Sequence, residues 1–255
     1  MDENGLIIPA WPAPAPAPAP ANVNVKAFST TRHGGISLSP YDSLNLGLDV
    51  GDVAANVIAN RLRLMKQANL PHMPIWLDQV HGIKVLNVGK ECGPDRRADA
   101  AYSQIPKQVC AVMTADCLPV LFCSFDGSEV AAAHAGWRGL CAGVLESTLR
   151  QFRAKPSTIL AWLGPAIGSQ QFIVGAEVKQ AFTRIDEQSS LAFTPHDNDP
   201  EYSANIYLLA KLRLQKAGIE AIYGGGRCTV TESSQFFSYR REGITGRMAS
   251  LIYIC

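Results

Sequence analysis

Between residues 109 and 152 the chain alternates apolar stretches with short polar breaks. VCAVMTADCLPVLFCSF predicts two short strands separated at TADC, and EVAAAHAGWRGLCAGVLESTLRQF predicts a strand, a glycine-containing turn and a helix. With 255 residues, of which 47% are hydrophobic, the chain can bury a sizeable core. Strands and helices mixed in this way predict an α/β (α+β) fold.

The remaining segments predict further strands and helices. Residues 54–68 have apolar side chains at helical spacing, with Asp52 as the expected N-cap. A short helix is predicted at EVKQAFTRI, and a longer one at SANIYLLAKLRLQKAG, ended by Gly218. VNVKAFST, PIWLDQVHGIKVLNV, TILAWLG and the C-terminal segments predict strands around polar turns. No repeat and no linker composition interrupts residues 21–255, so we expect one domain.

The N-terminal part differs in composition from the rest. Pro and Ala alternate from Pro12 to Pro20, which predicts an extended polyproline II strap. We therefore divide the chain into an N-terminal segment, residues 1–22, and a single domain, residues 23–255.

Charge and cysteine content limit the partners and the compartment. The formal net charge is +1, which gives no broad surface for nucleic acid or an anionic membrane and favours a small-molecule substrate. Seven cysteines without scaffold spacing suit a reducing compartment, and the N-terminus has no signal-peptide pattern. We expect a cytoplasmic protein; its oligomeric state, monomer or homodimer, stays open.

Three side chains form a candidate metal site. His81, Cys117 and His134 lie 36 and 17 residues apart, which is too far for a zinc finger but suits ligands from separate strand ends or loops. Two imidazoles and one thiolate leave the fourth position of a tetrahedral zinc ion open for chemistry. Asp78 and Asp116 are candidates for fixing an imidazole tautomer, or are simple turn carboxylates. Each histidine alone also fits a hydrogen-bonded core or rim residue.

Two other segments are candidates for anion binding. After His134, the turn Gly136–Trp137–Arg138 leads into a helix whose amino end could hold phosphate near the metal, or is a plain strand-to-helix connection. The segment FFSYRREGITGR forms either an anion pocket or a solvated hairpin, and its arginines are Arg240, Arg241 and Arg247. The glycines at 224–226 are not a nucleotide phosphate loop, because no Gly-Lys-Ser/Thr follows.

Eight motifs together resemble the laccase-domain family, also described as multicopper polyphenol oxidases, purine nucleoside phosphorylases or the peptidoglycan editing factor. In chain order they are TTRHGGIS, SLNLG, NRLRL, WLDQVHG, TADCLPVLF, AAAHAGWRGL, AWLGPAIG and FFSYRREGITGRMA, and the resemblance covers about residues 23–253. The resemblance implies a single-domain layered α/β sandwich with mixed sheets, similar to the catalytic domain of a bacterial cytotoxic necrotizing factor.

The resemblance also implies roles for particular residues. It makes His81, Cys117 and His134 the zinc ligands, and it makes Arg61 of NRLRL the substrate-pocket arginine, with Arg61, Cys117 and His134 as catalytic residues. The substrate-binding residues expected from these motifs and from the anion-binding segments are Arg32, Asn45, Arg61, Arg138 and Arg241. One departure from the family is Asn205, where relatives usually show Asp, which puts a charged role at that position in doubt.

Composition helps to choose among the activities attached to this family. A multicopper oxidase needs many imidazoles, and this chain has only His33, His72, His81, His134 and His196. Copper oxidation of polyphenols is therefore the weakest alternative, although copper could bind in vitro. The resemblance implies phosphorolysis of purine nucleosides, namely adenosine, inosine and methylthioadenosine, with nucleoside and phosphate as ligands. It also implies zinc as the cofactor and adenosine deamination as a side activity. The alternative is an amide hydrolase that edits nucleotide-linked muropeptides, with either Cys117 as nucleophile and His134 as base or a zinc-activated water.

Overall fold

The computed structural model describes residues 5–10, 25–89, 94–196 and 200–255. Twelve strands are present in this part of the chain: β1 Val25–Ser29, β2 Val85–Asn87, β3 Ala100–Ser103, β4 Cys110–Thr114, β5 Leu118–Ser124, β6 Val130–Ala135, β7 Ile159–Leu163, β8 Ile173–Val174, β9 Phe193–Pro195, β10 Tyr202–Ala204, β11 Ala221–Gly224 and β12 Met248–Ile254. The α-helices are α1 Ala54–Gln67, α2 Trp137–Ala142, α3 Val144–Leu149, α4 Ala176–Ile185, α5 Ile206–Lys216 and α6 Tyr239–Glu242.

The strands form one large sheet and two small ones. The large sheet has the order β11-β7-β5-β6-β3-β2, in which β11/β7 and β2/β3 are parallel pairs and the others are antiparallel. A second sheet, β1-β12-β4, is antiparallel throughout. The third, β8-β10-β9, is a small antiparallel sheet.

The layers can be read from the alternating burial of strand side chains. On β5, Phe122 packs in a cluster with residues of α2 to α5, whereas Leu121 packs in a cluster shared with β4 and β12. Across β12, Ile252 faces that inner cluster and Leu251 faces a third cluster with Leu64 of α1. The layers therefore follow in the order α1, the sheet β1-β12-β4, the six-stranded sheet, and helices α2 to α5. This is the layered α/β sandwich with mixed sheets that was predicted.

This layering explains why β4, β5 and β6 are continuously apolar. A strand in a sheet that is covered on both faces has no solvent-facing side chains, so the alternation of polar and apolar residues disappears. Every residue of β5 and β6 is buried. These strands form the rigid centre from which the polar breaks TADC and HAGW extend.

Some local features differ from the sequence prediction. Asp52 is not the N-cap of α1, because Val53 occupies that position and the Asp52 carboxylate accepts hydrogen bonds from Ser37 and Asn45. The helix after His134 is divided into α2 and α3 at Gly143, whose φ of 104° is left-handed and ends the first helix. FFSYRREGITGR contains one helical turn, α6, rather than a hairpin.

The Pro12–Pro20 strap lies outside the described residues. Within them, Ile7 pairs with Ser29 at the edge of β1. None of the helices in the described ranges has the length and apolar character needed to cross a membrane.

Candidate metal centre

Strand pairing brings Cys117 and His134 together. Cys117 immediately precedes β5 and His134 is the penultimate residue of β6, and the antiparallel register sets Pro119 opposite His134 and Leu118 opposite Ala135. The two side chains therefore start from adjacent backbone positions at one end of the large sheet. Their relative placement follows from the register and does not depend on a flexible loop.

His81 comes from the loop before β2. Its backbone φ is +60°, a left-handed conformation that costs free energy for a residue with a side chain. The amide of His81 donates to the Asp99 carboxylate (2.9 Å), and the amides of Val80 (3.3 Å) and Gly82 (2.6 Å) donate to the same group. One buried carboxylate therefore organises the whole turn and fixes the direction of the imidazole.

The three side chains lie close enough together to hold a single metal ion. One ligand atom from each of His81, Cys117 and His134 lies within 4.8 Å of the others. The His81 Nε2 and Cys117 Sγ atoms are 3.7 Å apart. Tetrahedral zinc bonds sulfur at about 2.3 Å and nitrogen at about 2.0–2.1 Å, which separates two such ligands by roughly 3.6 Å. No other residues of the described ranges form a comparable cluster of histidine, cysteine and carboxylate groups.

Asp99 also orients the second imidazole. Its Oδ1 atom is 2.9 Å from Nδ1 of His134, and its backbone carbonyl accepts from the amide of His134 (2.7 Å). Donation from Nδ1 leaves Nε2 of His134 as the free lone-pair nitrogen, the arrangement found for histidine ligands with a carboxylate partner. Of the carboxylates proposed from sequence, Asp78 is exposed and Asp116 bonds elsewhere, so Asp99 performs the role considered for them.

The acid–base properties of the cluster suit a thiolate ligand. Burial opposes ionisation of Cys117, but the neighbouring His134 and His81 outweigh it and lower the pKa of the thiol to about 6. Burial likewise disfavours the charged form of His134, but Cys117 and Asp99 raise the pKa of the imidazole to about 9. Burial raises the pKa of Asp99, but His134 and the amide of Gly82 bring it below its usual range. Without metal the cluster therefore favours a thiolate beside an imidazolium.

Gly136 and Gly139 lie so close to the cluster that a larger side chain would clash with it. A Cβ atom at Gly136 would lie 2.6 Å from Cδ2 of His81 and 3.1 Å from Cys117 Sγ. At Gly139 it would lie 2.9 Å from the carbonyl oxygen of Gly82. The HAGWRG motif therefore packs its backbone directly against two of the candidate ligands.

Asp116, which precedes Cys117, holds the third ligand in position. Its φ is +90°, and its carboxylate accepts from Thr229 Oγ1 and from the amide of Arg240, each at 2.6 Å. The carbonyl of Asp116 accepts from the amide of Ile167 (2.9 Å). Two loops and helix α6 are thus tied to the residue that precedes the candidate thiolate ligand.

The cluster opens into a cleft of about 620 Å³. Its aromatic lining residues are Trp137, Phe172 and Tyr239, and its cationic ones are Arg138, Arg240 and Arg247. The wall also includes apolar side chains such as Leu48, Met113 and Ile206, and the amide of Gln79, which bonds to the backbone of Met113. This combination suits a flat, partly apolar ligand with an anionic part.

Of the predicted substrate-binding residues, Arg138 lies in the wall of the cleft and Arg61 lies beside it. Arg138 lines the cleft and stacks on Trp137, 4.4 Å from the ring centroid. Arg61 lies beside the cleft, stacks on Trp76 at 4.3 Å, and donates from Nε and Nη2 to the carbonyl of Leu46. Burial lowers the pKa of Arg61 to about 10.

Arg32, Asn45 and Arg241 do not line this cleft. Arg32 bonds to Asp42 and Glu242, and Arg241 donates to the carbonyls of Thr229, Val230 and Phe236. Buried Asn45 accepts from the amides of Gly47 and Arg247. In the structure these side chains hold together loops of the cleft wall.

Arg240 and Arg247 line the cleft, although neither is among the substrate-binding residues expected from the sequence. From the sequence, the segment FFSYRREGITGR is an anion pocket or a solvated hairpin, and Arg241 is its expected substrate-binding residue. Arg247 is half-buried, and its Nη1 donates to the carbonyls of Thr245 and Gly246 (3.0 Å each). Burial lowers its pKa although Cys117 and Asp116 lie near enough to oppose this. The sequence feature that points to Arg247 is its position after Gly246, immediately before strand β12.

Comparison with known proteins identifies similar chains over almost the whole length. The family model described as multi-copper polyphenol oxidoreductase laccase matches residues 26–255. A purine nucleoside phosphorylase of Shigella flexneri is 57% identical over 249 residues, which cover 98% of each chain. A purine nucleoside phosphorylase of Haemophilus influenzae is 52% identical over 228 residues, covering 89% of this chain and 93% of its own.

Solved structures have the same architecture. The crystal structure of a Neisseria meningitidis protein is 45% identical, with a TM-score of 0.90, covering 98% of this chain and 99% of that chain. A Bacillus licheniformis hypothetical protein is 30% identical, with a TM-score of 0.87, covering 100% of this chain and 98% of its own. The layered fold is therefore shared with proteins of known structure.

Proposed function

Because this chain belongs to the multi-copper polyphenol oxidoreductase laccase family, which includes relatives named purine nucleoside phosphorylases, we propose that it is a zinc-dependent purine nucleoside phosphorylase. Its proposed substrates are adenosine, inosine and methylthioadenosine together with phosphate. The observation that carries the proposal is the convergence of His81, Cys117 and His134 within 4.8 Å beside a cleft large enough for a nucleoside.

The reaction makes three demands on the cleft. A phosphate oxygen must approach the ribose C1′ atom, the bond from C1′ to the base nitrogen must break, and the departing purine must gain a proton. Charge develops on the ribose ring and on the base while this happens. Groups that hold the reactants in line and match this charge therefore lower the barrier.

Aromatic side chains are the proposed binding surface for the purine. Trp137 and Phe172 line the cleft together with the exposed ring of Tyr239. Offset stacking of a flat base on such rings is favourable, and it is tolerant of the exchange of an amino group for an oxygen. This tolerance fits the proposed range of substrates.

Cationic side chains are the proposed binding surface for phosphate. Arg247 is half-buried and fixed by the carbonyls of Thr245 and Gly246, so little side-chain freedom is lost on binding. Arg138 is held over Trp137 at the same cleft. We assign Arg61 a supporting role, because Leu46 already accepts two of its donor groups.

The candidate ligand residues are held in place by their neighbours. Asp99 accepts from Nδ1 of His134 and so leaves Nε2 as the nitrogen available to a metal ion, and the neighbouring imidazoles favour the thiolate of Cys117. When bound, a zinc ion would supply positive charge that polarises ribose or phosphate oxygens. His33, His72 and His196 belong to no metal-type cluster in the described ranges, which argues against a multicopper oxidase.

One assay tests the proposal. Purified protein is incubated with adenosine, with and without inorganic phosphate, and the products are resolved by chromatography. We expect free adenine and ribose 1-phosphate only when phosphate is present, and stoichiometric zinc by mass spectrometry. Cys117→Ala should lose both the zinc and the phosphorolysis, whereas Cys255→Ala, which changes an exposed thiol, should retain them. Undiminished phosphorolysis in Cys117→Ala would contradict the metal mechanism.

The same chromatogram tests for the proposed side activity. Deamination converts adenosine to inosine by hydrolysis and needs no phosphate, so it is read from the reaction that lacks phosphate. Loss of inosine formation in Cys117→Ala would assign both activities to one centre. Inosine formation that persists in that variant would assign deamination to a different site or to a contaminant.

A second candidate function is hydrolysis of an amide in a cell-wall precursor. The observation that favours it is the lowered pKa of Cys117 beside His134, which is the state that a cysteine nucleophile requires. A thiol nucleophile would remain active after metal removal by a chelator and would be inactivated by iodoacetamide. Loss of amidase activity on chelation, restored by zinc, would exclude the free thiolate as nucleophile.

A further inference from the structure

A second cleft, of about 330 Å³, lies outside the metal centre. Its polar lining includes Ser169, Lys211, Arg227, Cys228 and the glycines at 225 and 226. No aspartate or glutamate is among the residues of the described chain that line it. The proposed phosphorolysis uses none of these groups.

The place of this cleft in the fold is typical of ligand sites. Strands β7 and β11 are parallel neighbours, with Leu163 opposite Gly224, and the loops that follow their carboxyl ends form two sides of the cleft. The third side is the first part of α5, the helix that precedes β11. In α/β sheets, ligands bind in crevices outside the carboxyl ends of parallel strands.

The charges in this cleft are positive. Arg227 pairs with Glu232 at 2.6 Å and lies 5.0 Å from the ring centroid of Phe236, so its guanidinium is held in place. Lys211 is half-buried and makes no hydrogen bond or ion pair within the described chain. Lys211 is therefore a cation without a counter-charge in a confined, polar space.

The loop beside these cations leaves room for a ligand to approach the backbone. A Cβ atom placed on Gly226 would have no heavy atom within 4 Å. At Cys228 the Sγ atom accepts from the amide of Gly168 (3.2 Å), which joins the two loops at the end of the cleft. The cleft is thus a bounded recess and not a gap between separate mobile segments.

We propose that this cleft is a second ligand site, which binds a small phosphate-bearing anion. Lys211 supplies the uncompensated positive charge, Arg227, which is paired with Glu232, supplies its remaining guanidinium donors, and Ser169 with the backbone at Gly226 supplies neutral donors. The volume suits inorganic phosphate, pyrophosphate or a small phosphate monoester, and is small for a dinucleotide. This proposal does not depend on the activity proposed for the metal centre.

The two clefts share a wall. Ile167 lines the metal cleft and Gly168 lines the second one, and likewise Ile206 and Tyr207 lie on opposite sides. Thr229, next to Cys228, bonds to the Asp116 carboxylate beside the candidate thiolate ligand. An anion in the second cleft is therefore separated from the metal cleft by this shared wall.

Nuclear magnetic resonance of protein labelled with ¹⁵N-glycine tests this site directly. Gly226→Ala assigns one signal, because that position tolerates a methyl group. Titration with inorganic phosphate and with pyrophosphate should shift the signals of Gly168, Gly225 and Gly226. Lys211→Glu should weaken this binding about tenfold or more, and Lys211→Met should weaken it by a smaller factor.

Lys216→Ala is the matched control, because it removes a lysine of the same helix that pairs with Asp186 outside the cleft. Its affinity for both anions should equal that of the parent. Shifts confined to Gly47, which lines the metal cleft, or equal affinities in the parent and both Lys211 variants would overturn the second site. Phosphorolysis can fail while these shifts persist, so the two proposals are tested separately.

Discussion

Replacing Asp99 by asparagine tests how much the metal centre depends on one buried carboxylate. Asp99 is fully buried, and its two oxygens accept from the amides of Val80, His81 and Gly82 and from Nδ1 of His134. Asparagine has the same shape but has one oxygen and one donor group. Whichever way the amide turns, its NH₂ group faces at least one N–H group that previously had an acceptor.

The size of the effect follows from those contacts. If the NH₂ group faces Gly82, the half-buried amide of Gly82 and the amide of Val80 lose their common acceptor, at a cost of about 1–3 kcal/mol. If it faces His134 instead, the imidazole is driven to the tautomer that carries hydrogen on Nε2, the nitrogen needed by the metal. Loss of such a supporting carboxylate weakens metal binding about 10–100-fold.

The assay is competition for zinc against a chromophoric chelator, combined with urea unfolding of the metal-free protein. Asp99→Asn should show a zinc Kd raised about 10–100-fold and a free energy of unfolding lowered by about 1–3 kcal/mol. Asp78→Asn is the control, because that carboxylate is exposed and touches neither imidazole. A zinc Kd for Asp99→Asn within twofold of the parent would refute the reasoning.

Two further predictions concern the same cluster. Gly136→Ala places a methyl group 2.6 Å from the His81 ring and 3.1 Å from Cys117 Sγ, so the ring must move. The chelator assay should therefore show zinc binding weakened about tenfold or more. A zinc affinity equal to that of the parent would contradict this account of the packing. In metal-free protein, alkylation of Cys117 by iodoacetamide should increase with pH around a midpoint of about 6, because the reactive thiolate forms as pH rises through the lowered pKa. Peptide mass spectrometry follows this rate, and a midpoint near that of a free thiol, about 8.5, would show that the imidazoles do not stabilise the thiolate.

The central strands and the candidate ligands could be predicted from the sequence because the patterns that indicate them are local. The apolar stretches interrupted at TADC became β4 and β5, and the stretch before GWRG became β6. Cys117 and His134 were predicted as ligands because metal-capable side chains stand at the ends of such stretches. Asn205, the departure from the family pattern, caps α5 by accepting from the amide of Leu208, which an aspartate would do equally well.

The residues that position the candidate ligands could not be predicted from the sequence, because their hydrogen-bond partners are distant in the chain. Asp99 lies in RRADAAYS, which has no distinguishing pattern, yet it contacts His81 18 residues before it and His134 35 residues after it. Asp78 and Asp116 appeared better placed only because they are close in sequence to ligands. Arg241 and Arg247 could not be told apart, since only the tertiary packing of α6 turns one away from the cleft.

The alanine-rich composition of β6 gives His134 a further consequence. Ala131, Ala132 and Ala133 present nearly identical small side chains to both neighbouring layers, so shape alone distinguishes poorly between β6 and a version shifted by two residues along β3 and β5. His134 has the strand's only polar side chain, and only the observed alignment places its ring against Asp99. The residue proposed to bind the metal therefore also favours the observed register of β6, and replacing it with alanine would remove an interaction that only this register allows.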